Sequence, residues 1–160
     1  MESIPVTIEK WSSEQEGQNL VSVVQFGSSL TGFPKLFSDL DVLFVFKLLP
    51  ERRKDIWKLV DTLEDKLEPV FIEMRNLGFY YSLSPIIRSL CQMDRFSYFY
   101  LDLPELNCLI WGDKKTWAHF IQRILTFRAN YQAEKVSHRG QVAWNLSKTL
   151  AKGELFDPEF

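Results

Sequence analysis

Two carboxylates separated by a single residue, Asp39 and Asp41, are the groups in this sequence best placed to do chemistry. They open the apolar run Val42 to Phe46. Alternate side chains of a strand share a face, so both acids point the same way, about 7 Å apart. Like charges held that close repel unless a cation lies between them. A carboxylate pair at a strand's end suits Mg²⁺ shared with the oxygens of a phosphorylated substrate. Upstream, the short β-branched run Val21 to Phe26 stops at Gly27-Ser28-Ser29. Glycine permits a sharp turn there, and small side chains leave room for a ligand. A polar loop containing Gly32, Pro34 and Lys35 joins the two parts.

The elements that must hold these groups follow from periodicity. Val21–Phe26 and Val42–Phe46 read as buried strands. From Glu51 the period changes: Ile56, Leu59, Val60, Leu63, Leu67, Val70, Phe71 and Met74 recur at threes and fours, which predicts a helix with one buried stripe. Its charged opposite face is solvated, Pro69 is expected to kink or divide it, and Gly78 ends it. Phe79 to Ile87 reads as a third strand, with Ser82 and Ser84 on one face and Leu83 on the other. Before all of these, Ser12 or Ser13 is expected to cap a short helical turn near Glu14 and Glu16, in a segment that packs on the sheet edge.

Beyond the third strand, the aromatic cluster Phe96, Tyr98, Phe99 and Tyr100 has only Arg95 beside it and reads as core packing rather than a base-stacking surface. Asp102, Pro104 and Glu105 read as the start of a short helix carrying Leu106, Leu109 and Ile110 and ending near Gly112. Lys114 to Tyr131 is a further amphipathic helix, and residues 135–139 and 141–146 flank Gly140 as a small hairpin. His119 and His138 stand apart and suggest surface or turn roles.

Composition sets limits. At 160 residues the chain is one domain, or a domain with a short appendage. A 46% hydrophobic content excludes a disordered chain, and a net charge of -2 argues against a dedicated nucleic-acid binder. No apolar run approaches the ~20 residues of a membrane span, and MESIPVTIEK is not a signal peptide. Cys91 and Cys108 form no CxxC, which argues against zinc and for reduced thiols in a cytoplasm.

Gly27-Ser28, ten residues, then Asp39-Leu40-Asp41 at the head of an apolar strand resembles the signature of the DNA polymerase beta-type nucleotidyltransferase superfamily. A weaker likeness to small stand-alone prokaryotic members runs on through Tyr100–Leu103, Trp144-x-Leu146 and Lys152-Gly153-Glu154. The resemblance implies an α+β fold, a mixed sheet with helices on one face. Residues 1–112 would form the nucleotidyltransferase core, and 113–160 a C-terminal helix and β-hairpin within the same compact unit. It implies transfer of a nucleoside monophosphate from a nucleoside triphosphate, ATP among them, to a hydroxyl. Asp39 and Asp41 would be the catalytic pair and hold two Mg²⁺ ions, with Mn²⁺ as an alternative. Gly27 and Ser28 would cradle the phosphates, with Lys35 adding charge.

The third strand departs from that pattern. The superfamily's third acid falls where this chain has Ser84, and a hydroxyl cannot act as the base a carboxylate provides. The arginine that many minimal members carry soon after Gly-Ser is also missing, with Leu30-Thr31-Gly32 in its place. Asp94 and Asp102 are expected to be caps or surface residues. The resemblance therefore implies an enzyme whose acceptor is a protein, an RNA end or a small molecule, or else a degenerate, antitoxin-like module that binds nucleotide or a protein partner.

Overall fold

A computed structural model describes residues 3–15, 19–31, 36–138 and 141–146. Four strands form a mixed sheet: β1 (Leu20–Phe26), β2 (Phe37–Phe46), β3 (Tyr80–Ser89) and β4 (Asn107–Gly112), in the order β3-β2-β1-β4. The β1 strand runs antiparallel to both β2 and β4, while β2 and β3 are parallel. The parallel pair requires a crossover, supplied by helix α2 (Arg53–Asn76), and the one-turn helix α3 (Leu90–Met93) follows β3.

Alternation along β2 sorts its side chains between two cores. Leu40, Val42, Phe44 and Phe46 pack with Ile8 and Trp11 of α1 (Ile4–Glu14) and with Leu63, Leu67 and Phe71 of α2. Leu43 and Val45 point the other way, onto Tyr100 and Leu101 and onto Trp117, Phe120, Ile124 and Phe127 of α4 (Lys114–Asn130). The chain is thus α+β with a mixed sheet, as expected, but helices cover both faces of the sheet rather than one, because alternation along β1 and β2 leaves an apolar surface on each side. Helices α1 and α2 share one face of the sheet, and the opposite face is covered by α4 and a 3-10 turn at Tyr98–Asp102.

Several expectations need correction. The first helix is longer than a capped turn and starts at Ile4, with Pro5 in its first turn, where a missing N–H costs nothing. Ser12 and Ser13 lie at its far end and bond back to the carbonyls of Ile8 and Glu9. Trp11 donates to Thr62 Oγ1 at 2.9 Å, fixing α1 on α2, and α1 also packs against the edge strand β4, as expected. Pro69 does not divide helix α2, which runs on to Asn76; the proline sits on its exposed side, where the carbonyl freed at Asp65 can meet water. Residues 107–112 are a strand, not a helix, because β1 has a second edge whose N–H and C=O groups need partners. Asp102 closes the 3-10 turn instead of capping a helix.

The aromatic cluster is core, as its lack of basic neighbours indicated: Tyr100 is fully buried and Phe96 stacks on Phe127 at 4.4 Å. After α4, β5 (Ala133–His138) and β6 (Gln141–Leu146) pair as a hairpin, while Gly140 between them lies outside the described residues. Trp144 of that hairpin lies under the Arg128 guanidinium at 4.3 Å and donates to Asp102. Lys135 ion-pairs with Asp102 and Glu105, which ties the hairpin to the sheet's second layer. No described helix is long and apolar enough to cross a membrane.

Candidate functional site

The register of the parallel pair builds the site. Asp39 lies beside Ser82 and Asp41 beside Ser84. Because Leu83 and Ile87 pack toward α2, the even-numbered positions of β3 face the other way. By the same alternation Asp39 and Asp41 share the face of Leu43 and Val45. The two acids and two hydroxyls therefore meet on one surface near the end of the sheet. Ser82 Oγ donates to Asp39 Oδ1 at 2.9 Å, and Ser84 stands beside Asp41 as its partner across the pair, where its hydroxyl lowers the Asp41 pKa.

The two carboxylates differ in environment. Asp39 is exposed, whereas Asp41 is half-buried where β1 ends, with Phe26 as its partner across the pair. Burial raises the Asp41 carboxyl above its ordinary range; the Ser84 hydrogen bond opposes this, and the nearby Asp39 charge adds to the rise. An isolated proton-sharing acid and a cation-hungry acid look alike electrostatically: each gains from added positive charge.

Immediately past β1, Gly27 adopts φ 78 and ψ -161, a conformation that side chains disfavour. Its N–H donates to the Leu106 carbonyl at 3.2 Å, so that group is already engaged. Phosphate contact from this turn must then come from the residues after Gly27. Ser28 is exposed at the start of a 3-10 turn, Ser28–Leu30, which Thr31 closes by donating to the Ser28 carbonyl. Behind it, buried Gln25 donates to Ser29 Oγ at 3.2 Å. Lys35, Gly32 and Pro34 lie outside the described residues.

The donor set is all oxygen: two carboxylates and two hydroxyls, the hard ligands that Mg²⁺ and Mn²⁺ take. Among the described residues no third His, Cys, Asp or Glu joins them. Asp94 and Asp102 are elsewhere, the first paired with Arg123 at 2.9 Å and the second with Lys135 at 3.0 Å. A cavity of about 260 Å³ opens at the other end of the strands, between Val21, Val45, Met93, Trp117 and Phe120. It contains neither aspartate of the pair.

Two residues escaped sequence reasoning. Phe37 and Tyr80 occupy the next rung of the same ladder, their rings stacked with centroids 5.1 Å apart. The signal was the alternation itself: Phe37 precedes Asp39 by two positions, and Tyr80 precedes Ser82 by two.

Residues 7–91, more than half of the chain, match the nucleotidyltransferase domain family. A protein of Methanocaldococcus jannaschii, named as a candidate protein adenylyltransferase, is 32% identical over 79 residues, 44% of this chain. The match spans 53% of that relative, about half its length. Chains from solved toxin–antitoxin structures are also similar. One, from an MntA–HepT complex with two aspartate-to-glutamate substitutions, has a TM-score of 0.49 and 15% identity, covering 80% of this chain and 92% of its own. Another, from a Shewanella oneidensis complex of tri-AMPylated HEPN toxin with MNT antitoxin, has a TM-score of 0.45 and 15% identity, covering 81% and 90%.

Proposed function

The chain belongs to the nucleotidyltransferase domain family, and on that premise we propose that it transfers a nucleoside monophosphate from a nucleoside triphosphate to a hydroxyl. The observation that carries this is the placement of Asp39 and Asp41 on one face beside the Gly27 turn. Asp39 and Asp41 would hold the divalent cations. Mg²⁺ bound there, or Mn²⁺ in its stead, supplies charge neutralisation at the phosphates and a lower pKa for the acceptor hydroxyl.

This chain's own groups set up that reaction. Ser82 fixes Asp39 through its hydroxyl, and Ser84 stands beside Asp41. Gly27 lets the backbone turn tightly against Asp41, and Ser28 offers an exposed hydroxyl to the terminal phosphates. Lys35 adds charge to the triphosphate. The acceptor oxygen forms a bond to the α-phosphorus as the bond to the β-phosphate oxygen breaks. Pyrophosphate leaves, and the acceptor's proton passes to solvent, since the position of a third acid holds Ser84. A protein acceptor is supported by the name of the Methanocaldococcus relative. The exposed free thiols Cys91 and Cys108 fit a cytoplasmic setting.

The Ser84 position favours a second reading, a module that binds nucleotide or a protein partner with little turnover. Calorimetric titration with ATP, GTP, CTP and UTP, in Mg²⁺ and in EDTA, tests the shared premise. Binding in Mg²⁺ alone is expected. Equal binding in both buffers, or none, overturns the site.

A further inference from the structure

Beside the carboxylates stand two exposed aromatic rings that pack on each other. Phe37 is 69% exposed and Tyr80 46% exposed, yet their rings lie nearly parallel, 22° between planes. Tyr80 covers one side of Phe37. On the other side β1 stops at Phe26, opposite Asp41, so no strand of the sheet lies alongside Phe37 there. Among the described residues, the Phe37 ring is thus open mainly on the side away from Tyr80, toward the Gly27 turn.

A groove of about 400 Å³ links this ring pair to the first carboxylate: Phe37, Ser38, Asp39, Tyr80, Tyr81 and Ser82 line it. Its two ends differ in chemistry, one flat and apolar, the other carboxylate and hydroxyl. Successive rungs of the ladder are about 7 Å apart along the strands, the span of one sugar. A ligand matching both ends carries a planar ring at one terminus and a cation-bound phosphate one sugar away.

We propose that Phe37, backed by Tyr80, is the platform on which the nucleobase of the bound nucleoside triphosphate stacks. The inference rests on the reading of Asp39 and Asp41 as the cation and phosphate end of the site. Every base has a π-face, so such a platform holds the nucleoside while discriminating weakly among bases. The groove has room for a mononucleotide's ring and sugar, and the described residues that line it include no basic group.

Two probes separate the ends. Mg²⁺–tripolyphosphate reports the carboxylate end alone, and Mg²⁺–ATP reports both. Calorimetric titration of the full chain and of Phe37→Ala should show ATP weakened about tenfold or more, with tripolyphosphate unchanged. Phe37→Trp should restore ATP binding. Phe37 is exposed, so its melting temperature should hold, and equal melting of both variants makes the comparison direct. If the wild type binds tripolyphosphate with Mg²⁺ and Phe37→Ala leaves ATP affinity intact, the platform is overturned alone. The platform also fails if that variant instead slows transfer to an acceptor, which would place the acceptor on the ring. Failure of the wild type to bind tripolyphosphate removes the carboxylate reading and the platform with it.

Discussion

Gly27 lies against Asp41 so closely that a β-carbon built on it would stand 2.6 Å from Oδ2. Turn and carboxylate are therefore one unit: the position of the acid depends on the absence of a side chain on the neighbouring strand's end.

Gly27→Ala tests that dependence. The new methyl must displace the Asp41 carboxylate, and φ 78 is strained for alanine, at a cost of roughly 1–3 kcal/mol. A drop of a few degrees in Tm is expected, together with loss of Mg²⁺-dependent nucleotide binding by about tenfold or more. Unchanged affinity in a folded variant would separate the turn from the site.

Asp41→Asn should stabilise the metal-free protein. Burial raises the Asp41 carboxyl in the fold, with the Asp39 charge adding to the effect, so its ionised form is disfavoured relative to the unfolded chain. The native state then binds the proton more tightly, and stability rises as pH falls through the raised folded pKa. At neutral pH the ionised acid is a cost, which the neutral asparagine removes. A Tm gain of about 1–2 °C at pH 7, modest because the group is half open to water, should vanish below the ordinary carboxylate range. Thermal melts across pH read this directly. Ligand-induced stabilisation in Mg²⁺ should be absent from the same variant, and unfolding at pH 7 would make Asp41 structural.

Ser84→Asp addresses turnover. Ser84 is paired with Asp41 across the ladder, so a carboxylate there would sit beside the pair. If chemistry lacks only the base, labelled nucleotide transfer should rise by about 10²–10⁴. Leu83→Asp is the control: Leu83 packs toward α2, so its variant buries a charge and should melt early without gaining activity. Robust wild-type transfer that Asp41→Asn abolishes would assign the proton to another group and end the degenerate-module reading.

What could be read in advance was whatever one short stretch of chain decides. The Gly27–Ser28 turn, the shared face of Asp39 and Asp41, the α2 stripe and the alternation of Ser82, Leu83 and Ser84 are all local patterns. The 107–112 strand was not, because Leu106, Leu109 and Ile110 also satisfy a helical period and only the open edge of β1 decides between them. Pro69 left division of the helix open because a proline in a helical pattern can end a helix or be carried within it; its place on the solvated face of α2 lets the helix run on. Gly112 carried its signal unread; a β-carbon there would stand 2.7 Å from the Val21 carbonyl, the mark of two strands in close approach. The stacking of Phe37 on Tyr80 needs the parallel register, which nothing local to either residue specifies.

The parallel pairing of β2 with β3 has a kinetic side. Asp41 meets Gly27 across a short connection, but Asp39 and its Ser82 partner are 43 residues apart, with the whole of α2 between them. Contacts of long sequence separation close late, since the loop entropy must be overcome first. The β3 strand is also at the sheet's edge, where local opening is easiest. Peeling it away would leave the carboxylates in place on β2 while removing both hydroxyls and Tyr80. The acid pair thus belongs to the part of the sheet expected to exchange its amide hydrogens slowly, and the groups that orient it to a part expected to exchange faster.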